Sequence, residues 1–261
     1  MIENVSPKKF LGQHFLIDEN ISKKIVNSFS LKEFDKIVEI GPGKGALTKY
    51  LFEYSDKLIL VEYDTESVEY IKSSFKIHNP NIIKQDFLKY NLKDVLSQTS
   101  KNLIIGNFPY NISSQIIFKI LENYLLVDNL VGMFQKEVAE RIISKPNSKE
   151  YGIISVKTQL LYDVKILFDV SPNVFFPKPR VNSSVISLTR KENININFDL
   201  KLFDKLVKLS FQQRRKKIKN SLKKLDLKEN ILEDSIFGLR PEQLSVNDFI
   251  KLTQKISNET I

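Results

Sequence analysis

The 261-residue chain has no cysteine. That absence excludes disulfides, thiolate metal sites and cysteine nucleophiles, and it fits a reducing compartment. Long apolar runs are missing as well, since no stretch approaches the roughly 20 residues needed to cross a bilayer. The opening residues Met1-Ile2-Glu3-Asn4 lack the basic and apolar regions of a signal peptide. The expectation is a soluble, cytoplasmic protein with no membrane partner. Glycine is sparse at eight residues, and only Gly238 lies beyond Phe198.

Acidic residues are also in deficit. Forty Lys and Arg stand against 31 Asp and Glu, a formal net charge of +9. Residues 201–261 alone hold 14 Lys and Arg against 8 Asp and Glu, so six of those nine charges fall in the last segment. A protein that neutralises phosphates gains from counterion release, so a concentrated excess points to a polyanionic partner. A lysine-rich composition imposed by the genome would spread the charge more evenly.

From about residue 36 to 135, short β-rich runs alternate with helix-like stretches. Lys36 to Ile40, Lys57 to Val61, Asn102 to Ile105 and Leu130 to Phe134 are nearly continuous apolar runs, the mark of strands buried on both faces of a parallel sheet. Between them Ala46 to Tyr54, Thr65 to Phe75 and Ser113 to Tyr124 carry the i, i+3, i+4 spacing of amphipathic helices. This is an α/β, doubly wound pattern. Asp163 to Val170 and Ser184 to Thr189 read as an antiparallel pair closing the sheet's edge, joined by a loop with Pro172, Pro177 and Pro179. Only helical patterns follow Phe198. Polar residues at Glu192 to Asn197 mark the expected boundary, giving domains 1–194 and 195–261.

"VEIGPGKGALT", Val38 to Thr48, follows the first of these strands and opens a helix. Gly41, Gly43 and Gly45 let the chain turn sharply and bring its backbone against a ligand. Glu62 ends the second strand, roughly 20 residues on, where an acid in this fold accepts hydrogen bonds from ribose hydroxyls. Asp86 stands at the next strand's carboxyl edge, within reach of an adenine amine. Such a set fits a dinucleotide or S-adenosyl-L-methionine. The GxGxG spacing, in place of GxGxxG, favours the second, which has no pyrophosphate to seat on a helix N-terminus.

"GNFPY", Gly106 to Tyr110, ends the strand that starts at Asn102. An exocyclic adenine amine is a poor nucleophile because its lone pair is delocalised into the ring. The Asn107 side-chain oxygen and the Phe108 carbonyl are two acceptors that would hold the amine's hydrogens, with Pro109 fixing the turn that aims them. Tyr110, read as an exposed ring, would stack on the base. No general base is needed if the proton leaves to solvent. A structural Asn-x-Pro turn with a packed tyrosine is the alternative.

With those motifs in place, the chain resembles the ribosomal RNA adenine N6,N6-dimethyltransferases over nearly its full length. "KKFLGQHFL" (Lys8 to Leu16) resembles the element that lies over the methyl donor. "MFQKEVAERI" (Met133 to Ile142), "VFFPKPRVNSSV" (Val174 to Val185), "FQQRRKKIKNSL" (Phe211 to Leu222) and "LRPEQLSVNDFIKL" (Leu239 to Leu252) resemble later family motifs. The resemblance implies a Rossmann-like, S-adenosylmethionine-dependent methyltransferase domain followed by a smaller all-helical domain. It also implies that His14, Leu16, Gly41, Glu62, Asp86 and Asn107 contact the donor, with Gly43 in the same loop and Gln13 in support. The implied substrate is a pair of adjacent adenosines near the 3′ end of small-subunit (16S) ribosomal RNA, in an assembling 30S particle. The family commonly has Leu where Phe108 stands, and Lys and Asp in place of Arg180 and Asn182.

Arg214-Arg215-Lys216-Lys217, read as a charged helix, is either a solvated surface or, with Lys8, Lys9 and Lys44, a surface that positions RNA by its phosphates. No metal and no oligomer are expected. Three rivals remain: a large-subunit adenine methyltransferase of the macrolide-resistance type, a non-catalytic binding protein on the same fold, and a nicotinamide-dependent oxidoreductase.

Overall fold

The computed structural model describes residues 5–75, 81–192, 194, 196–225 and 227–259. Met1 to Asn4 lie outside these, as do Asn193 and Asn195 within the expected linker. The chain divides into two compact units, Met1–Ala139 with Val164–Arg190, and Glu140–Asp163 with Lys191–Ile261.

In the first unit, a short strand β1 (Phe15–Leu16) leads into α1 (Glu19–Val26), whose first turn is capped by Asp18 accepting from the Asn20 and Ile21 amides. Then β2 (Lys36–Ile40), α2 (Thr48–Leu51), β3 (Leu58–Glu62), α3 (Thr65–Phe75), β4 (Ile82–Lys84), β5 (Asn102–Asn107), α4 (Ser113–Glu122) and β6 (Asn129–Gln135) alternate. Helix α5 (Lys136–Ile143) runs from the first unit into the second, to which α6 (Ile153–Leu161) belongs, and the chain returns to the first along β7 (Tyr162–Val170), β8 (Phe175–Phe176) and β9 (Ser183–Arg190). Seven strands form one sheet in the order β4-β3-β2-β5-β6-β9-β7. Strands β2 to β6 are parallel where they pair, while β9 runs antiparallel to β6 from Asn129↔Thr189 to Gln135↔Ser183.

The runs read as doubly buried strands are so: Ile37, Val38, Leu60, Leu103, Ile104 and Leu130 are all fully enclosed. The β2–β5 neighbours sit where the strand order reverses, and a crevice forms at the carboxyl ends of strands at that point. Helix α4 buries Ile116, Ile117 and Ile120.

Three details differ from the periodicity. The helix expected over Ala46 to Tyr54 is confined to Thr48–Leu51, followed by a 3₁₀ turn at Phe52–Tyr54, because the glycine turn reaches further. Strand β5 extends to Asn107, so that amide belongs to a strand end rather than a loop. Helix α6 gave no amphipathic signal because its buried residues, among them Ile154, Val156, Leu160 and Leu161, are not confined to one stripe.

The second unit gathers α6, α7 (Leu200–Gln212), α8 (Ile218–Ser221), α9 (Glu229–Leu232) and α10 (Val246–Glu259). Helix α7, capped by Asp199, packs on α6 and α10, and Phe211 meets the rings of Tyr151 and Phe249. This packing is why residues 140–163 fall with the helical unit, whereas a linear boundary near residue 194 leaves them with the sheet.

Candidate donor and base site

The carboxyl ends of β2, β3 and β5, with the turn after β4, surround a cavity of about 280 Å³. His14, Leu16, Gly41, Gly43, Glu62, Asp86, Asn107, Phe108, Pro109 and Tyr110 all line it, so every donor and base residue expected from the sequence meets at one place. Gln13 and Lys44 line it too.

The glycine turn shapes the floor. Gly41 and Gly43 have φ of +65° and +55°, a region that L side chains rarely adopt. A Cβ at Gly43 would lie 3.0 Å from Phe15 Cε1, so this glycine lets β1 close over the turn. A Cβ at Gly41 would meet nothing nearer than Pro109 Cδ at 3.8 Å, and the space it would enter is part of the cavity.

Glu62 is buried, with Oε1 accepting from the Asp64 amide at 2.8 Å and Oε2 from the Gly43 amide at 3.1 Å. Burial raises its pKa, and the backbone donors oppose that rise. One carboxylate thus ties the end of β3 to the glycine turn. Asp86 accepts from the Leu88 amide at 2.9 Å through Oδ1.

Over this floor lies the segment Lys8 to Leu16. Phe15 and Leu16 pair antiparallel with Phe176 and Phe175 of β8, and the Ile17 amide donates to the Val174 carbonyl at 2.9 Å. His14 Nδ1 is 2.7 Å from the Pro177 carbonyl. A carbonyl only accepts, so Nδ1 is the donor in this bond. The Asn107 amide Nδ2 donates to the His14 carbonyl at 2.9 Å. That bond decides which way the amide faces: nitrogen toward the covering segment, with no protein donor bonded to Oδ1 among the described residues.

Tyr110 departs from the expected exposed ring. It is half-buried, its hydroxyl bonded to Ser183 Oγ at 2.5 Å and its ring centroid 5.3 Å from that of His14. Burial raises its pKa, with the Ser183 bond acting the other way. Tethering one end of the phenol fixes the plane that the ring offers.

Phe108 keeps the backbone role expected of it. Its ring is 1% exposed and packs edge-on to Phe134 at 5.1 Å, so its size is felt in the core and its backbone is what it brings to the site. Glycines make room: a Cβ at Gly106 would lie 2.6 Å from Phe108 Cε1, and one at Gly132 only 2.1 Å from Cε2.

The covalent sequence now has geometric company in known proteins. The family model for ribosomal RNA adenine dimethylase matches residues 4–260. The chain belongs to this family. It is 52% identical to the ribosomal RNA small subunit methyltransferase A of Flavobacterium johnsoniae, over 100% of this chain and 99% of that one. Among solved structures, a dimethyladenosine transferase from Plasmodium falciparum superposes with a TM-score of 0.81 at 25% identity, covering 95% of this chain and 99% of that one. The 23S rRNA methyltransferase ErmE shares the fold, with a TM-score of 0.64 at 23% identity over 93% of this chain and 99% of its own.

Within this dimethylase-family chain, two expected phosphate contacts, Lys8 and Arg214, have other partners. Lys8 is paired with the buried Asp64 and with Glu66 at 3.1 Å, so its charge is compensated internally and pins the covering segment. Lys9 is exposed. In the second unit, residues 213–217 form the turn between α7 and α8 rather than a charged helix, because Gln213 caps α7 and buried Ile218 starts α8. Arg214 Nη2 donates to the Ser148 carbonyl at 2.9 Å, which makes it a structural tie. Arg215, Lys216 and Lys217 are exposed. The Asn182 carbonyl accepts from the Lys136 amide at 2.9 Å, and the Lys136 ammonium pairs with Asp169 at 2.5 Å.

Two residues escaped the sequence reading. Glu39, in the middle of "VEIG", is 2% exposed, accepts from Thr48 Oγ1 at 2.8 Å and is pushed up to about 8 by burial. Its signal was an acid inside an otherwise apolar strand. Tyr63 is exposed beside Glu62 and lines the cavity. No group of acids and histidines suited to a metal occurs among the described residues, and no helix there is long and apolar enough to cross a membrane.

Proposed function

We propose that this protein transfers methyl groups from S-adenosylmethionine to the N6 amines of two adjacent adenosines near the 3′ end of small-subunit ribosomal RNA, giving dimethyladenosine during 30S assembly. The carrying observation is the Asn107 amide, locked by the His14 carbonyl with its oxygen left to accept, beside a glycine turn with space for a ligand.

The residues fit the donor. Glu62 accepts from ribose hydroxyls, Asp86 from the adenine amine, and the Gly41–Gly43 turn admits the chain that bears the sulfonium. When bound, S-adenosylmethionine supplies an electrophilic methyl group. Everything else falls to the protein. Asn107 Oδ1 and the Phe108 carbonyl accept hydrogen bonds from the target amine and free its lone pair from the ring, and the proton released on methylation leaves to solvent. Tyr110, held by Ser183, gives the flipped base a face of fixed orientation. His14, Leu16 and Gln13 cover the donor, with Lys8 tying that cover down.

Residues 1–194 supply the chemistry, and 195–261 help to hold the RNA, with Arg215, Lys216, Lys217 and Lys9 contacting phosphates. We reassign Lys8 and Arg214 to positioning. A cytoplasmic monomer fits these roles. The Flavobacterium relative supports the small subunit over the large as substrate. Methyl transfer by wild type and Asn107→Ala to small subunits lacking the modification tests the proposal, and a fully active variant would contradict it.

A further inference from the structure

Strand β8 presents two phenylalanines in opposite directions. Phe175 is 3% exposed and belongs to the core, whereas Phe176 is 60% exposed although it stands opposite Phe15, a residue that lines the cavity. The next residue, Pro177, receives the His14 hydrogen bond, so Phe176 stands at the border of the site. Phe10, one residue before the cavity-lining Leu11, is 76% exposed. Lys9 precedes Phe10 and Lys178 and Arg180 follow Phe176 in sequence; all three are exposed and make no ion pair with any described residue.

Exposed aromatics interleaved with unpaired cations match single-stranded nucleic acid, whose bases stack while its phosphates are neutralised. A peptide or lipid surface would exploit the apolar rings but not the cations that adjoin them in both segments. Phe15, which pairs with Phe176, and His14, which bonds to the Pro177 carbonyl, both line the cavity in which Asn107 and Tyr110 stand, so this surface adjoins it.

We propose that this rim is a second nucleotide subsite, in which Phe176 stacks on the base next to the target adenine while Lys178 and Arg180 hold the flanking phosphates. The inference rests on the reading of the cavity as the adenine site. Swinging one base out deprives its neighbour of a stacking partner, and Phe176 replaces that partner. Since two adjacent adenosines are modified, the waiting or finished one occupies the rim while the other is in the cavity.

The probe is a short single-stranded RNA with 2-aminopurine beside an adenine, whose fluorescence falls when it stacks. Wild type and Phe176→Trp should quench it, and Phe176→Ala should not. The same alanine variant should raise KM for small subunits by roughly 5- to 150-fold, the value of one base–aromatic stack, with kcat and S-adenosylmethionine affinity retained. Joint replacement of Lys178 and Arg180 by Ala should lower the salt slope of RNA binding by about 0.7 for each phosphate they neutralise. Equal quenching and equal KM for Phe176→Ala, with methyl transfer intact, would overturn the rim and leave the cavity's reading standing. Failure of wild type to quench would overturn it too. Quenching that depends on Phe176, without methyl transfer to any subunit, would uphold the rim while removing the proposed reaction.

Discussion

The side chain of Asn107 and the backbone of His14, 93 residues apart in sequence, are joined by one hydrogen bond of 2.9 Å. It links the end of β5 to the segment that covers the cavity, and it turns the amide oxygen into the free acceptor. Placing the amide at a strand end, rather than in a loop, makes its position rigid.

Asn107→Ala therefore removes both an acceptor and a tie. Methyl transfer should fall by on the order of 10²-fold or more, as when one preorganised polar group is removed from an active site. RNA binding should survive, as a filter or mobility assay would show. Asn107→Asp retains an oxygen but loses the donor to His14, and it should rescue only part of the rate.

Gly132 and Phe108 should be coupled energetically. Alanine at position 132 would drive a Cβ to 2.1 Å from the Phe108 ring. Overpacking of that kind costs about 1–3 kcal/mol. The urea midpoint of Gly132→Ala should fall accordingly, and Phe108→Leu in the same chain should recover part of the loss. A strictly additive pair would show that the ring simply moves aside.

Stability should depend on pH through Glu39. Burial lifts its pKa from 4.5 to about 8, so folding takes up a proton between those values. The stabilising contribution is fully present below about pH 4.5 and is lost as pH rises through 8. Relative to Glu39→Gln, wild type should lose at most about 1.4 kcal/mol per pH unit across this window. Denaturant melts of both proteins at several pH values would check it.

The cations divide into two classes. Replacing Arg215, Lys216 and Lys217 by Ala should reduce the salt slope of RNA binding by up to about 0.9 for each phosphate no longer neutralised. Lys8→Gln should leave that slope alone and weaken donor binding, because Lys8 is committed to Asp64 and Glu66. Arg214→Ala should act on the stability of the helical unit by removing the bond to Ser148.

Strands β2, β3, β5 and β6 were legible because a strand buried on both faces writes an apolar run. Gly41, Glu62 and Asn107 were legible as candidates because each sits where such a run stops, whereas His14 and Leu16 came only from the family resemblance. What could not be read was distant partnership. Lys8 and Asp64 are 56 residues apart, and Arg214 and Ser148 are 66 apart, so a charge count takes both cations as free. The two-residue pairing of β1 with β8 is too short to leave a period, yet it holds the cover in place. The packing of the Phe108 ring was hidden for a related reason: its neighbours at Gly106 and Gly132 are set by sheet register, which no local pattern shows.

The most direct measurement is methyl transfer from labelled S-adenosylmethionine to small subunits lacking the modification, with protein-free large-subunit RNA in parallel, followed by nucleoside analysis. Dimethyladenosine on the small subunit alone is the expected result. Label confined to the large-subunit RNA would mean a different substrate for the same cavity, and label on neither would contradict the proposed catalysis.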